Sequence, residues 1–282
     1  MLRPPLALLS LLVTVATLVA LPMRSRPEPA ERSYLGLDLN DYPGDDALPA
    51  LRKTFSFIGY WLSPPPGEKG NGWLGKRSLL QSHGFGFAVL YNGPESRKLK
   101  SLAGAKQRGA VDGDAASKLA RQEGFRAGTV IFLDIEEGGR LPPVYYDYLE
   151  AWFEALARAH FRGGAYCSGV ALSEGGGKTI TTIKDIQEHL DSGKLTFWVF
   201  NDFCPPSPGC VASQSPPPVA QGGFPEAAVW QFAQSPRRKE RTTKCAATYN
   251  SDGNCYAPND AARKWWLDLN VASSPDPSAA RD

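Results

Sequence analysis

Histidine is scarce in this chain and metal-ligand cysteine spacings are absent, which excludes several kinds of catalytic centre. The three histidines, His83, His160 and His189, lie far apart and never in a His-Glu-x-x-His pattern. No Cys-x-x-Cys pattern occurs, so the sequence lacks the usual ligand spacings of a zinc site. The Gly-x-Ser-x-Gly motif of α/β-hydrolases is also absent. We therefore expect neither a metal nor a cofactor.

The chain also lacks an excess of one charge sign. Its 31 basic residues nearly balance its 29 acidic residues, and without residues 1–26 the balance is 28 against 29. A protein that binds nucleic acid through electrostatic attraction is therefore not expected. Gly175–Thr179 has the end of a phosphate-binding loop, but Leu172 stands where that motif requires glycine. We interpret the segment as a flexible loop.

The N-terminus and the cysteines both predict export. Arg3 precedes an apolar run that extends to Met23, which is typical of a secretion signal. Because no clear cleavage site follows the run, residues 1–30 are either a signal with a short linker or an uncleaved membrane anchor. An extracellular, periplasmic or envelope-associated protein is predicted.

Four of the five cysteines form two pairs that are close in sequence. We expect Cys204 to bridge Cys210 and Cys245 to bridge Cys255, because both loops are short and an exported protein meets an oxidising compartment. Cys167 lies in an apolar run and is predicted to be a buried free thiol.

Apolar, β-rich runs alternate with helical patterns along most of the chain. The predicted strands are Tyr34–Asp38, Phe55–Leu62, Gly86–Tyr91, Gly128–Ile135, Gly164–Ser168, Leu195–Phe200, Ala228–Phe232 and, more weakly marked, Ala246–Asn250. The predicted helices are Leu48–Lys53, Asp112–Glu123, Pro143–His160, Ile183–Leu190 and Asp260–Leu269. This alternation in an α/β chain of this length favours a closed TIM-like barrel over residues 31–269, with an open doubly wound sheet as the alternative. Residues 270–282 are predicted to be a disordered tail.

Acidic residues follow several of the predicted strands. Asp134 and Glu136 end the most apolar strand two residues apart, so they point to the same side. Asp38 ends the first strand, and Asp252 follows the weak eighth strand. In a barrel these positions lie at the face where active sites form, and carboxylates without a histidine or cysteine partner suit glycosidic bond cleavage. The alternatives are a hydrogen-bonded structural pair for Asp134 and Glu136, a helix cap for Asp38 and a turn for Asp252.

Aromatic side chains near the same strand ends are candidate platforms for sugar rings, with core packing as the alternative. The candidate substrate-binding residues are Tyr60, Trp61, Tyr91, Tyr166, Trp198, Trp230 and Gln231.

The order of these short motifs resembles a known family. Gly36-Leu-Asp38, Phe57-Ile-Gly59-Tyr60, Asp134-Ile-Glu136, Trp230-Gln231 and Asp252-Gly-Asn254 together resemble the glycoside-hydrolase-like domain of secreted bacterial proteins, long described as a domain of unknown function. That domain is similar in turn to family 25 glycoside hydrolases, the Chalaropsis-type lysozymes that cut peptidoglycan. The resemblance extends over roughly residues 34–268.

The resemblance implies an irregular barrel of five strand–helix units followed by three strands. It also implies that Glu136 is the proton donor, that Asp134 and Asp38 shape and charge the site, and that Asp252 supplies a late aspartate. The lysozymes carry Asp-x-Ser-x-x-Gln on the first strand, whereas this chain has Asn40 and Pro43 in place of Ser and Gln.

The leading hypothesis is a monomeric, exported glycoside hydrolase that acts on peptidoglycan or a related envelope glycan. The alternatives are a non-catalytic glycan-binding module on the same barrel and an enzyme of another hydrolytic class.

Overall fold

Eight strands close into one barrel in this protein, whose computed structural model describes residue 1, residues 32–190 and residues 195–280. The predicted N-terminal signal or anchor lies outside the described residues. The strands are β1 (Tyr34–Asp38), β2 (Phe57–Trp61), β3 (Gly86–Asn92), β4 (Val130–Asp134), β5 (Arg162–Ser168), β6 (Leu172–Gly175), β7 (Lys178–Ile180), β8 (Thr196–Phe200), β9 (Val229–Ala233) and β10 (Asp268–Ala272). The helices are α1 (Leu48–Arg52), α2 (Arg77–Ser82), α3 (Leu102–Gln122), α4 (Pro143–Arg158) and α5 (Thr182–His189). Within the described ranges, no helix is long and apolar enough to cross a membrane.

The barrel is irregular because its last strand runs against the others. The order around the barrel is β1, β2, β3, β4, β5, β8, β9, β10, and the neighbouring pairs from β1 to β9 are parallel. Strand β10 closes the barrel by pairing antiparallel with both β9 and β1. Five strand–helix units are thus followed by three strands, which confirms the predicted α/β, TIM-like architecture.

The last part of the barrel differs from the sequence prediction. The expected eighth strand, Ala246–Asn250, overlaps a 3-10 helix at Thr243–Thr248, and the expected helix Asp260–Leu269 does not form. Long-range contacts hold that segment in turns, since the Trp265 indole donates to the Pro43 carbonyl and the Leu267 amide donates to the Cys255 carbonyl. Strand β10 follows instead.

The prediction of a disordered tail from residue 270 is wrong over the described residues. Residues 270–272 belong to β10, and beyond it Ser278 is buried. The Ser278 amide donates to the Phe87 carbonyl, and its own carbonyl accepts from the Val130 amide, each at 2.9 Å. The C-terminal segment therefore seals the amino-terminal end of the barrel beside β3 and β4.

Two smaller elements were not predicted. The sequence gives α2 only a short apolar pattern, and the loop expected at Gly175–Thr179 is the turn and second strand of the β6–β7 hairpin. Gly176 and Gly177 both have positive φ in this turn, which explains the glycine run without a phosphate ligand.

Close contact between α3 and α4 depends on glycine. A Cβ atom at Gly109 would lie 2.2 Å from the carbonyl oxygen of Tyr148, and one at Gly113 would lie 2.6 Å from the Ala155 Cβ. The two helices therefore approach until side chains of one meet the backbone of the other, and α4 also packs against β5, where Phe153 lies over Gly163.

Gly109→Ala is expected to destabilise the protein, although alanine is the better helix former by about 1 kcal/mol. The added methyl group must displace the backbone of α4, which costs about 1–3 kcal/mol and lowers the melting temperature by several degrees. Val111→Ala, at a side chain on α3 that is 57% exposed, is the control, and it should leave the melting temperature equal or higher. A Gly109 variant as stable as the control would contradict the close packing.

The two disulfides connect different cysteines from those predicted. Cys204 bridges Cys245 and Cys210 bridges Cys255, with Cα–Cα distances of 5.6 and 5.1 Å. Both bonds join the proline-rich segment after β8 to the segment after β9, whereas neither closes a short local loop. Nearest-neighbour pairing failed because the chain folds the two segments together. Cys167 is buried and free, as predicted.

Peptide mapping under non-reducing conditions is expected to recover the Cys204–Cys245 and Cys210–Cys255 crosslinks. Removal of the second bond by Cys210→Ser with Cys255→Ser should cost about 2–4 kcal/mol of stability, since it releases a long loop in the unfolded chain. The single variant Cys167→Ser serves as a control for loss of a cysteine without loss of a crosslink. Recovery of Cys204–Cys210 peptides would contradict the pairing.

Candidate active site

Five carboxyl groups line one cavity at the end of the barrel where the parallel strands finish, and one of them, Glu95, is paired with Arg97 and Lys98. The cavity has a volume of about 560 Å³ and includes Asp38, Asp134, Glu136 and Asp268 in its wall. Asp38 is the last residue of β1, Asp134 is the last residue of β4, and Glu136 lies two residues beyond it. Asp268 is the first residue of β10, and it reaches the same end because β10 is antiparallel.

The amide of Gln231 on β9 links the acids of the first and last strands. Its Nε2 donates to Asp38 Oδ1 and Oδ2 at 2.9 and 2.8 Å and approaches Asp268 Oδ2 at 3.4 Å. Its Oε1 accepts a hydrogen bond of 2.8 Å from the Tyr166 hydroxyl, which fixes the orientation of the amide. Asn270 adds a second amide donor to Asp38 at 3.3 Å, and the Trp198 indole donates to Asn270 at 2.9 Å.

Asp134 and Glu136 have a different environment. Both carboxylate oxygens of Asp134 are buried, and neither has a hydrogen-bond donor among the described residues. Glu136 is exposed, and its carboxyl is the group next to Asp134 that can share a proton with it. One carboxyl of the pair is therefore buried without a partner, and the other faces the open cavity.

Burial raises the pKa of all three aspartates. The pKa of Asp38 rises to about 6 because desolvation outweighs the donation from Gln231 and Asn270. Desolvation followed by the negative charge of Glu136 raises the pKa of Asp134 well above its ordinary value. Desolvation followed by the charge of Asp38 does the same for the pKa of Asp268. The site therefore retains protons at pH values where exposed carboxyl groups are ionised.

The aromatic candidates divide into two groups. Trp61, Tyr166 and Trp198 line the cavity together with Gln231. The other three candidates, Tyr60, Tyr91 and Trp230, are buried but do not line it.

The buried position of the second group has a visible cause in two cases. The Tyr60 hydroxyl lies 2.7 Å from the Trp73 carbonyl and also contacts Glu123, and its ring packs edge-on against Phe87. The Trp230 indole donates to the Asn201 carbonyl at 2.8 Å. The prediction of sugar contact is therefore wrong for Tyr60, Tyr91 and Trp230, because successive strand residues face opposite sides of the barrel wall.

Asp252 does not join the other acids. It is exposed in a turn, where it accepts from the Asn254 amide at 2.9 Å and from the Tyr256 hydroxyl at 2.7 Å. The turn interpretation is thus correct, and the late aspartate of the site is Asp268, which sequence reasoning missed. A parallel strand brings its last residue to this end of the barrel, whereas the antiparallel closing strand brings its first residue there. The alternating apolar positions Leu267, Leu269 and Val271 were the available signal.

A second cavity adjoins the first and extends it along the protein surface. It measures about 600 Å³, shares Asp38, Asn40, Trp61 and Asp268 with the first, and adds an aromatic wall from Tyr42, Trp265 and Trp266. Trp266 is 61% exposed. The two volumes together exceed the usual size of a small-molecule pocket, so the groove can accommodate several linked rings.

One described group of side chains lies close enough together to hold a metal ion, and it is outside this cavity. Asp185, Glu188 and His189 lie on α5. The oxygens of Asp185 already accept hydrogen bonds from Arg140 and from the Leu141 amide, each at 2.8 Å. Because these donors occupy the central ligand, we assign the group a structural role.

The fold and the cavity together define the class of this protein. It is an α/β barrel with a carboxylate-rich, aromatic-walled groove at the carboxyl ends of its parallel strands, the end at which barrels of this type carry their active sites.

The family comparison makes the class specific. Residues 67–206 match the family described as Rv2525c-like, glycoside hydrolase-like domain. This part of the chain is therefore similar to that family, the one that its motifs resemble. No curated protein matches the chain.

Several solved structures are similar to this chain, and the first of them has the same fold. An uncharacterised protein of B. stearothermophilus aligns with a TM-score of 0.54 at 18% identity, over 85% of this chain and 95% of that one. The Mycobacterium tuberculosis Tat-secreted protein Rv2525c, solved with L-tartrate, aligns with a TM-score of 0.47 at 13% identity, over 86% and 95%. The modular autolysin LytC of Streptococcus pneumoniae, solved with a synthetic peptidoglycan ligand, gives 0.46 at 10% identity, over 85% and 46%.

Asp134→Asn is expected to stabilise the protein in a pH-dependent way. Because the folded-state pKa of Asp134 is raised above its ordinary value of 3.8, the folded protein binds more protons than the unfolded chain above that pH. The free energy of unfolding therefore falls as the pH rises above about 4. The variant removes this penalty, so its melting temperature should exceed that of the wild type by several degrees at pH 8 and by little at pH 4.

Asp252→Asn provides the matched control, since the pKa of Asp252 is lowered by hydrogen bonds from Tyr256 and the Asn254 amide. It should give no gain at pH 8. A gain for Asp134→Asn that is equal at both pH values would mean that charge at Asp134 is not its source.

Proposed function

We propose that this protein is an exported glycoside hydrolase that cleaves glycosidic bonds in peptidoglycan or a related envelope glycan. The observation that carries the proposal is the single cavity that contains Asp38, Asp134, Glu136 and Asp268. Glycoside hydrolysis requires a proton donor to the leaving oxygen and a carboxylate that stabilises an oxocarbenium-like transition state. The cavity offers candidates for both.

Glu136 is assigned as the proton donor because it is the exposed member of the Asp134–Glu136 pair. The buried, unsolvated carboxyl of Asp134 favours the state in which the pair keeps one proton. In that state Glu136 can deliver the shared proton to a glycosidic oxygen in the groove as the glycosidic bond breaks. Both carboxyl groups of the pair are then ionised. Asp134 is therefore a positioning residue in this mechanism.

Asp38 and Asp268 are assigned to the opposite role. They lie as partners in the β1–β10 register and share the amide of Gln231, so they form one negative centre across the cavity from the β4 acids. Such a centre can stabilise positive charge on the sugar, orient a water molecule or support participation by an N-acetyl group of the substrate. Trp61, Tyr166 and the exposed Trp266 provide apolar surfaces for the sugar rings.

Export is supported by the two disulfides, since such bonds form and persist in oxidising compartments. The proposed location is the periplasm, the envelope or the exterior of the cell.

A second candidate function is a non-catalytic, glycan-binding module on the same barrel. It is favoured by the first strand, where Asn40 and Pro43 replace the Ser and Gln of similar lysozymes. Saturable binding to isolated glycan that is unaffected by Glu136→Gln, with no turnover between about pH 4 and 8, would select it.

The test is release of new reducing ends from purified peptidoglycan by residues 31–282 across about pH 4–8. Glu136→Gln should lower the initial rate at least ~100-fold, because general acid catalysis typically contributes 10²–10⁴. Glu137→Gln is the matched control: Glu137 accepts a hydrogen bond from the Ser96 amide, and glutamine preserves that acceptor. Equal rates for wild type and Glu136→Gln on a confirmed substrate would remove Glu136 from this role.

A further inference from the structure

A small side cavity opens beside Glu136 and contains two arginines. Its volume is about 280 Å³. It shares Glu136, Tyr166 and Gln234 with the cavity that Asp38, Asp134 and Asp268 also line, which is the central cavity below. Arg238 and Arg241 form part of its wall. The lining of the central cavity contains neither lysine nor arginine within the described ranges, so positive charge enters the site from this side.

Arg238 is already neutralised. Its Nε and Nη2 donate to the two oxygens of Asp202 at 3.0 and 2.8 Å, and Asp202 is completely buried. Its guanidinium also lies 3.8 Å from the centre of the Phe200 ring. Arg238 therefore forms a buried, bidentate ion pair and a cation–π contact, which hold its side chain in place.

Arg241 has no comparable partner. Its side chain is 19% exposed, and the carboxylate that it approaches, Glu240 at 3.9 Å, is 70% exposed. Such a surface pair contributes little, and its guanidinium has no hydrogen-bond acceptor in the described part of the chain. Burial and the neighbouring Arg238 cation lower the pKa of Arg241. Both of them therefore destabilise the positive charge of its guanidinium. A negative group in the cavity would relieve this arrangement.

We propose that the side cavity is a subsite for a carboxylate carried by the glycan, on a sugar next to the bond that Glu136 protonates. The inference rests on the proposed function and narrows it to acidic glycans. One unneutralised cation matches one negative charge, and the planar guanidinium fits a carboxylate through two parallel hydrogen bonds. The cavity is large enough for a substituent and too small for a further chain of sugars. Arg241 is thus a specificity-determining residue.

The other charged groups around the cavity are compatible with this occupant. Asp202 is fully engaged by Arg238, and Glu136 is the group that the mechanism requires in its protonated form when substrate is bound. A substrate carboxylate beside Arg241 therefore meets one further negative charge, that of the singly protonated Asp134–Glu136 pair, and this charge is removed in a Glu136→Gln background that keeps the proton on Asp134.

The experiment measures binding of two matched tetrasaccharides by calorimetry, in a Glu136→Gln background that prevents turnover. One is the neutral oligomer of N-acetylglucosamine, and the other is a peptide-free peptidoglycan fragment in which alternate sugars bear a lactyl carboxylate. We expect the acidic fragment to bind roughly tenfold more tightly, as one charge-assisted pair in a partly buried site should give. The preference should decrease with added salt.

Arg241→Gln should abolish the preference and leave the affinity for the neutral oligomer unchanged, which also shows that the variant is folded. Arg241→Lys should retain part of the preference, because lysine keeps the positive charge but cannot form the two parallel hydrogen bonds of a guanidinium. Lys239→Gln removes an exposed positive charge in the same segment and should change neither affinity.

The outcomes separate the two proposals. Equal binding of both fragments by the parent would overturn the carboxylate subsite and leave glycan binding intact. Equal weakening of both fragments by Arg241→Gln would make Arg241 a general positioning residue and would also overturn the subsite. Binding of neither fragment by any variant would overturn the proposed function on which the subsite rests.

Discussion

Buried negative charge at one end of the barrel is the constraint on which the rest of the site depends. Asp38 and Asp268 are brought together by strand pairing, and the groups that solvate them are neutral amides, above all Gln231, whose orientation is set by the Tyr166 hydroxyl. Amide donors reduce the cost of burying a carboxylate without cancelling its charge. The aspartates therefore keep raised pKa values, which a buried arginine beside them would have lowered. Asp134 differs, since no donor among the described residues reaches it, and like the other two it has no cation beside it in the cavity wall.

Among the described residues that line these cavities, the basic side chains lie at the periphery of this centre. Arg238 and Arg241 lie on the side of Glu136, and Lys264 lies in the wall of the adjoining groove beside Asp268. Aromatic rings fill the space between these regions. A ligand along the groove thus meets apolar surfaces for its rings, acids at its centre and cations at its flanks, so its own charge distribution would determine the position in which it binds.

The sequence was sufficient for most of the barrel because buried parallel strands are continuous apolar runs, as in β3 and β4, and amphipathic helices such as α4 have a clear period. From residue 201 onward, the sequence was insufficient to predict the secondary structure and the disulfides. There the chain is held by two long-range disulfides and by indole and amide contacts such as that of Trp265 with Pro43, which local patterns do not encode. The same limit explains the site. Asp38 and Asp134 follow parallel strands and could be located, whereas Asp268 precedes a reversed one, and the partnership of Gln231 with Asp38 exists only after closure.

The reversed closing strand also determines when the cavity can exist. Strands β1 and β10 are the most distant pair along the chain, and Asp38 meets Asp268 only when they join. Contacts of such long sequence separation form late, because the entropy of closing the loop opposes them until the intervening elements are packed. An incompletely synthesised or partly folded chain would have the β4 acids in place but an open seam opposite them. Assembly of the acidic centre is thus coupled to completion of the barrel, so a chain that is still being synthesised cannot present the finished groove.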